Sequence, residues 1–216
     1  MMMAKTATAS TVIEVPSAPR MSEGEIALFG RALDGCHAYL EYGAGGSTGF
    51  VLNSGVERMV SIESDKGWVE ALRQDPRIVE ATASGRLRLL HGDIGPTREW
   101  GFPVDKSSIA LWPGYPEAPW PVWEQLGESP SLVLVDGRFR IACALRAGLC
   151  FIDSGTQETA RILCHDVSAK RPAYDTIFEW FDKVEVVDTL VLAQLKPGTD
   201  RAALAAEYKR RLYWTI

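Results

Sequence analysis

A short apolar run that stops abruptly in a cluster of glycines is the feature that most constrains this chain. The run is Ala38-Tyr39-Leu40-Glu41-Tyr42, and Gly43-Ala44-Gly45-Gly46-Ser47-Thr48-Gly49 follows it directly. This change predicts a strand that enters a tight turn and then a helix. Glycine at Gly43 permits φ > 0 or a close approach of a ligand to the backbone. The turn therefore suits a nucleotide-like ligand, although a similar turn also serves simply to join a strand to a helix.

A second apolar run, Met59-Val60-Ser61-Ile62, ends in Glu63, which lies 20 residues after Gly43. An acid at about this distance from a glycine turn is typical of a carboxylate that binds the hydroxyls of a ribose. The two runs together predict a nucleotide site that is shared by two neighbouring strands.

Composition limits the classes of protein that fit. The chain has 216 residues, a length that suits a single domain. Its net charge of −5 and pI near 5.3 disfavour nucleic acid or an anionic membrane as partners. The four cysteines lie in or beside apolar runs without C-x-x-C spacing, so they are predicted to be reduced. No apolar stretch approaches the length of a membrane span, and the predicted location is the cytoplasm.

Residues 1–20 are predicted to form a flexible arm, and residues 21–216 a single domain. The domain begins with Ser22 followed by Glu25, a capping box that opens an amphipathic helix. The apolar residues of 65–74 have helical spacing, which predicts a second helix. Apolar and polar residues alternate over 86–91, which predicts a third strand that ends before Gly92-Asp93-Ile94.

Residues 97–130 carry four of the tryptophans and six prolines, five of them at positions 103, 113, 116, 119 and 121. This composition predicts a long shaped loop. Two interpretations stay open: an aromatic packing or dimer contact, and a wall of the substrate pocket in which Trp112 and Tyr115 contact the substrate.

The second half of the chain repeats the alternation of strand and helix. Residues 132–135 read as a buried strand that ends at Asp136, and residues 161–164 as another that ends at His165-Asp166. Residues 184–195 predict a close pair of strands, and Leu204, Tyr208 and Leu212 predict a C-terminal helix that packs on the domain or on a second subunit. The predicted fold is α/β: a Rossmann-like, doubly wound, mostly parallel seven-stranded sheet with helices on both faces.

With its acids at successive strand ends, the chain resembles the class I S-adenosylmethionine-dependent methyltransferases over residues 39–195. Glu41 to Ser47 resembles their glycine motif, Glu63 the ribose-binding acid, and Gly92-Asp93-Ile94 the adenine-contacting segment. The resemblance implies S-adenosylmethionine as cofactor, with Glu41 or Asp136 at its α-ammonium group. The implied cofactor-binding residues are Glu41, Gly43, Ala44, Gly45, Ser47, Glu63, Ser64, Asp93, Ile94 and Asp136.

The candidate proton acceptors for methyl transfer are Asp136, His165 and Asp166, and Arg138 is a candidate for binding the acceptor. The family's Asn/Asp-Pro-Pro-aromatic motif for amino acceptors is absent, which favours hydroxyl, carboxyl or other small-molecule acceptors. Catechol-type relatives hold magnesium between acids after the corresponding strands, but this chain has Val167 where that family has asparagine. No metal is therefore predicted, and Asp166 is expected to pair with Arg138 or Arg140.

Two other functions fit parts of the pattern. Gly43, Gly45, Gly49 and Glu63 also suit a nicotinamide dinucleotide, but no tyrosine has a lysine four residues later, as short-chain dehydrogenases would show. A non-catalytic cofactor-binding or assembly protein would use the tryptophan-rich segment and the C-terminal helix only as interfaces, for example in a homodimer.

Overall fold

The structure, a computed structural model, describes residues 15–215. Its strands are β1 (Ala38–Tyr42), β2 (Arg58–Glu63), β3 (Leu87–His91), β4 (Thr97–Arg98), β5 (Phe102–Pro103), β6 (Leu132–Val135), β7 (Arg161–Cys164), β8 (Phe181–Val187) and β9 (Leu190–Leu195). Seven of them form one sheet in the order β3-β2-β1-β6-β7-β9-β8, and β4 and β5 form a separate hairpin. The first five strands of the sheet are parallel, whereas β9 is antiparallel to both β7 and β8. The predicted fold class is confirmed.

Helices cover both faces of the sheet. They are α1 (Glu23–Leu33), α2 (Gly46–Leu52), α3 (Lys66–Leu72), α4 (Pro76–Ala83), α5 (Gly114–Glu117), α6 (Trp120–Leu126), α7 (Arg140–Asp153), α8 (Asp175–Phe178) and α9 (Arg201–Arg211). Buried side chains of α1 to α4 form a hydrophobic cluster on one face, and those of α5 to α9 form a second cluster on the other. The strands supply both clusters because successive side chains point to opposite faces.

Local sequence explains where several helices begin. Ser22 and Glu25 form the predicted capping box at the start of α1. Asp65 caps α3 by accepting a hydrogen bond from the Trp68 backbone N–H (2.7 Å). The C-terminal helix α9 buries Leu204 and Tyr208, as its spacing predicts.

The topology determines where a ligand can bind. The strand β1 lies between β2 and β6. The chain runs from β1 to β2 and β3 on one side of it and then crosses to β6 on the other side. Ligands of open α/β sheets bind beyond the carboxyl ends of the strands at such a switch point. The segments that follow β1, β2, β6 and β7 therefore meet at one edge of the sheet.

Residues 97–130 are more regular than predicted. They contain the β4–β5 hairpin, 3₁₀ turns at Glu99–Gly101 and Ile109–Leu111, and the helices α5 and α6. Proline accounts for part of the difference, because Pro121 lies in the first turn of α6, where a missing N–H costs no helical hydrogen bond. The prediction of one long loop was wrong for residues 114–126.

The predicted flexible arm falls mostly on residues 1–14, which lie outside the described residues. Residues 15–20 are described: Val15 packs against the α1 to α4 cluster, and Ala18 and Pro19 lie on the glycine turn. Within residues 15–215, no helix combines the length and the apolar character that a bilayer crossing requires.

Candidate functional site

A pocket of about 860 Å³ lies beyond the carboxyl ends of the parallel strands. This volume is within the range of natural ligand sites, about 300 to 1,000 Å³. The segment before α1, the glycine turn, the hairpin and the ends of β2, β6 and β7 all contribute to its wall. Its polar and aromatic lining residues are Arg20, Ser47, Glu63, Ser64, Asp65, Trp68, Arg98, Glu99, Trp100, Phe102, Asp136, Arg138, Arg140, His165, Asp166 and Arg171.

The glycine turn faces this pocket and leaves no room for side chains beneath it. Gly43 has φ +97°, and a Cβ there would lie 2.7 Å from the Gly137 backbone nitrogen. A Cβ at Gly46 would lie 2.0 Å from the carbonyl oxygen of Ala18. Glycine is thus required both by backbone conformation and by close packing. Gly43, Ala44, Gly45 and Ser47, which are predicted to bind the cofactor, line the pocket.

Glu41 does not reach the pocket. Its side chain is fully buried, and its carboxylate accepts hydrogen bonds from Ser47 Oγ (2.7 Å), Thr48 Oγ1 (2.5 Å) and Ser61 Oγ (2.7 Å). Burial raises the pKa of this carboxyl, and the hydroxyl donors oppose that shift without cancelling it. The prediction that Glu41 binds an ammonium group is corrected: the carboxylate ties the start of α2 to β1 and β2 from below.

Glu63, the predicted ribose-binding acid, lies in the pocket wall. Its Oε1 accepts hydrogen bonds from the backbone N–H groups of Ser64 (2.7 Å) and Asp65 (2.8 Å) and from Ser64 Oγ (3.1 Å). Within residues 15–215, Oε2 has no hydrogen-bond partner. Burial raises the pKa of the Glu63 carboxyl, and the donors from Asp65 and Ser64 only partly oppose this shift. The carboxylate is held in one orientation with one oxygen left for a ligand.

Asp93 and Ile94 do not line the pocket. Asp93 is exposed and accepts a hydrogen bond from the Gly95 backbone N–H (2.9 Å), which closes a local turn. Ile94 is fully buried in the α5 to α9 cluster. The β4–β5 hairpin instead approaches Glu63, since a Cβ at Gly101 would lie 3.3 Å from Glu63 Oε1. These two cofactor contacts, implied by the resemblance, are thereby corrected.

Asp136 and His165 are brought together after β6 and β7. His165 Nδ1 lies 3.0 Å from Asp136 Oδ1, and its Nε2 lies 3.5 Å from Glu25 Oε2 of α1. Burial alone would lower the pKa of His165, but the hydrogen bond and charge of Asp136, with the charges of Asp166 and Glu25, raise it overall. An imidazole between two carboxylates is favoured as an imidazolium, which is a poor proton acceptor. Asp136 Oδ2, without a partner in the described chain, is the better candidate.

Asp166 is paired with arginine, as the sequence predicts. It has φ +63°, and its Oδ2 lies 3.0 Å from both Arg140 Nη1 and Arg171 Nη1. Burial would raise the pKa of Asp166, but Arg140, His165 and Arg171 lower it overall. Arg140 also approaches Asp136 Oδ1 (3.1 Å).

A metal site can be considered at this corner because ligand atoms of Asp136, His165 and Asp166 all lie within 4.8 Å of one another. The guanidinium of Arg140 already supplies a cation to both carboxylates. An imidazole is also a poor ligand for magnesium. The donor set therefore does not fit magnesium, and the expectation of no metal stays a prediction.

Trp112 and Tyr115 lie under the site and not in its wall. Both belong to the α5 to α9 cluster, and their rings pack against Phe139 with centroids 5.6 and 5.8 Å away. Tyr115 Oη would lie 2.2 Å from a Cβ at Gly137, so Tyr115 supports the turn after β6. The prediction that these two side chains contact the substrate is corrected, because both are buried in the hydrophobic cluster that covers the sheet.

The pocket wall that the tryptophan-rich segment does supply is the hairpin. Arg98, Trp100 and Phe102 line the pocket, and Arg138 lies over the Phe102 ring at 3.9 Å from its centroid. Arg138 was predicted from the sequence, whereas the hairpin residues were not. Their signal was present as arginine and aromatic residues within five positions, but nothing local showed which aromatic residues face the pocket.

No protein-family model matches this sequence, and no curated protein matches it. The structure is similar to that of a methyltransferase-like protein from Silicibacter pomeroyi DSS-3, with a TM-score of 0.71 and 27% identity over 91% of this chain and 98% of that chain. It is also similar to an O-methyltransferase from Bacillus cereus in complex with SAH, with a TM-score of 0.51 and 13% identity over 82% of each chain. The second likeness shows the fold alone.

Proposed function

We propose that this chain, which belongs by its fold to the class I S-adenosylmethionine-dependent methyltransferase superfamily, binds S-adenosylmethionine and methylates a small molecule. One observation carries the proposal: the glycine turn after β1 and the Glu63 carboxylate after β2 face the same pocket. A turn that exposes backbone beside an acid is the arrangement that a nucleoside with a charged tail requires.

Glu63 fits the ribose. The backbone N–H groups of Ser64 and Asp65 donate hydrogen bonds to Oε1. The ribose diol would therefore meet a carboxylate whose orientation is already fixed. Hydrogen bonds to an ionised acceptor are stronger than those between neutral groups. Burial raises the pKa of the carboxyl, and two ribose hydroxyls would supply the anion with further donors.

Asp136 fits the amino end of the cofactor, now that Glu41 is excluded from the pocket. Its Oδ1 faces His165 and Arg140, so Oδ2 is left for an ammonium or for a proton. His165 then acts as a positioning residue that orients Asp136 through Nδ1. The backbone of the glycine turn can approach the cofactor's carboxylate because Gly43 and Gly45 present no side chain.

The cofactor supplies an electrophilic methyl group on a sulfonium, so the protein's contribution is mainly alignment of the acceptor. An acceptor hydroxyl would have to lose its proton, whereas an ionised carboxyl acceptor would not. The absence of the Asn/Asp-Pro-Pro-aromatic motif supports oxygen acceptors over amino acceptors.

The proposal is tested by titration calorimetry with S-adenosylmethionine and S-adenosylhomocysteine. We expect Glu63→Ala to weaken both affinities by about tenfold to a hundredfold, because a charge-assisted hydrogen bond contributes about 1.5 to 3 kcal/mol. Glu70→Ala is the matched control, since Glu70 is an exposed acid on α3 paired with Arg73. Unchanged affinity in a folded Glu63→Ala protein would contradict the ribose assignment.

A further inference from the structure

Three arginines that line the pocket have no acidic partner within residues 15–215. They are Arg20, Arg98 and Arg138, defined here as the arginine cluster. The other two arginines of the pocket differ: Arg140 pairs with Asp136 and Asp166, and Arg171 pairs with Asp166. On this side of the pocket, three guanidinium groups are therefore not ion-paired by residues 15–215.

Aromatic rings of the hairpin hold this cluster. The guanidinium carbons of Arg138 and Arg98 lie 3.9 and 5.7 Å from the centroid of the Phe102 ring, and that of Arg20 lies 4.8 Å from the Trp100 ring. A guanidinium held over a ring in this way keeps N–H groups that can bind an anion. Two separate segments, the one before α1 and the one after β6, thus converge on one short hairpin.

Arg138 forms the floor of the cluster. Its side chain is among the buried charged groups, with 8% of the residue exposed, yet its guanidinium has no hydrogen bond or ion pair with residues 15–215. Burial lowers the pKa of Arg138, and the charge of Arg140 adds to that effect. A desolvated cation without a counterion is unfavourable, and an anionic ligand would relieve this cost.

None of the acids that line the pocket forms an ion pair with the cluster within residues 15–215. Glu63 and Asp65 accept hydrogen bonds from the backbone, Asp136 and Asp166 face Arg140, and Glu99 is exposed at the rim. S-adenosylmethionine itself carries a single carboxylate, so it can neutralise only one of the three arginines. The guanidinium groups that it leaves unpaired are available to the second ligand of the pocket.

We infer that the methyl acceptor is an anionic small molecule, and that Arg138 with the rim residues Arg98 and Arg20 binds its carboxylate or phosphate group. This inference rests on the proposed function, which it deepens by naming the class of acceptor. The exposed Arg20 and Arg98 form the entrance, and an anion would move inward from them to the buried Arg138. The exposed ring of Trp100 beside Arg20 makes binding observable.

The test measures binding of benzoate, phenyl phosphate and neutral benzamide to the whole chain by titration calorimetry and tryptophan fluorescence, with S-adenosylhomocysteine absent or present. We expect at least one anion to bind and benzamide not to bind. Arg138→Met should weaken anion binding about tenfold or more, and added sodium chloride should weaken it in the wild type. The relative affinities of benzoate and phenyl phosphate distinguish a carboxylate from a phosphate ligand.

Arg98→Met is the second variant, and it keeps the test usable if Arg138→Met fails to fold. Arg98 is exposed, so its replacement does not threaten the fold. It should weaken anion binding severalfold. Arg73→Met is the matched control, since Arg73 is an exposed arginine paired with Glu70 away from the pocket, and it should leave binding unchanged.

Equal anion binding by the wild type and both cluster variants would overturn the inference, as would benzamide binding as tightly as benzoate. A loss of S-adenosylhomocysteine affinity in Arg138→Met with unchanged anion binding would also overturn it, because Arg138 would then belong to the cofactor's carboxylate. Failure of the wild type to bind S-adenosylhomocysteine would instead refute the proposed function, while the anion titrations still test the cluster.

Discussion

Glu41 and Glu63 show how two acids at neighbouring strand ends take different roles. Glu63 is the last residue of β2 and lies in the pocket wall, whereas Glu41 precedes the last residue of β1 and points into the protein. The register pairs Glu41 with Ser61 across the parallel strands, so the Ser61 hydroxyl reaches the Glu41 carboxylate. Glu41 thus supports the glycine turn without reaching the pocket.

Replacement of Glu41 is therefore expected to act on stability first. Glu41→Ala leaves the hydroxyls of Ser47, Thr48 and Ser61 without their acceptor and opens a cavity, so the free energy of unfolding should fall by about 2 to 4 kcal/mol. Glu41→Gln keeps the volume and one acceptor and should lose less. Urea unfolding measures both, and a loss in Glu41→Ala no larger than that in Glu70→Ala would contradict the role.

Among the elements, His165 connects parts of the chain that are far apart in sequence. It follows β7, its Nδ1 faces Asp136 after β6, and its Nε2 faces Glu25 in α1. Glu25 in turn accepts hydrogen bonds from Thr189, in the turn between β8 and β9. A helix, two parallel strands and the antiparallel pair thus meet at one imidazole whose pKa is raised in the fold.

A raised histidine pKa makes stability depend on pH in a defined direction. The contribution of His165 is complete below its unfolded pKa of about 6.5 and is lost as the pH rises through the higher pKa of the folded protein. We expect the difference in unfolding free energy between wild type and His165→Asn to shrink from pH 6 to pH 9. Each tenfold difference in proton affinity corresponds to about 1.4 kcal/mol.

His37 and His91 are present in both proteins of this comparison, so they do not contribute to the difference. Urea unfolding at several pH values supplies the measurement. A difference that stays constant across the range would show that the imidazole is not a folded-state cation.

At the scale of the whole molecule, the pocket joins segments from residue 16 to residue 171. A ligand that bridges the glycine turn, the hairpin and the ends of β6 and β7 binds only the folded chain. Its binding free energy must therefore appear as added stability of the domain. The homodimer stays a prediction at this scale.

We expect S-adenosylmethionine and S-adenosylhomocysteine at a hundredfold excess over their Kd to add about 2.7 kcal/mol, which raises the Tm of a domain of this size by about 5 to 10 °C. NAD at the same concentration should have no effect, and ATP serves as a control for nonspecific nucleotide binding. Thermal unfolding followed by circular dichroism measures these shifts. A rise with NAD and none with S-adenosylmethionine would favour the dehydrogenase alternative.

Outside residues 97–130, the sequence by itself determined the order of strands and helices along the chain, and it determined the edge of the sheet at which the pocket lies. Both depend on local features: the period of apolar residues, the glycine turn at Gly43, and acids such as Glu63 and Asp136 at the ends of buried runs. Residues that end parallel strands must meet at one edge of the sheet, so the neighbourhood of the site follows from topology alone.

Only the tertiary structure decided which side chains at that edge of the sheet face the pocket. Glu41 was removed from the pocket by its register with Ser61, and Tyr115 by the packing of α5 on the sheet. Phe102 and Arg138 were brought together although they are far apart in the sequence. The physical reason is that orientation depends on packing between distant segments, and local periodicity carries no information about that packing.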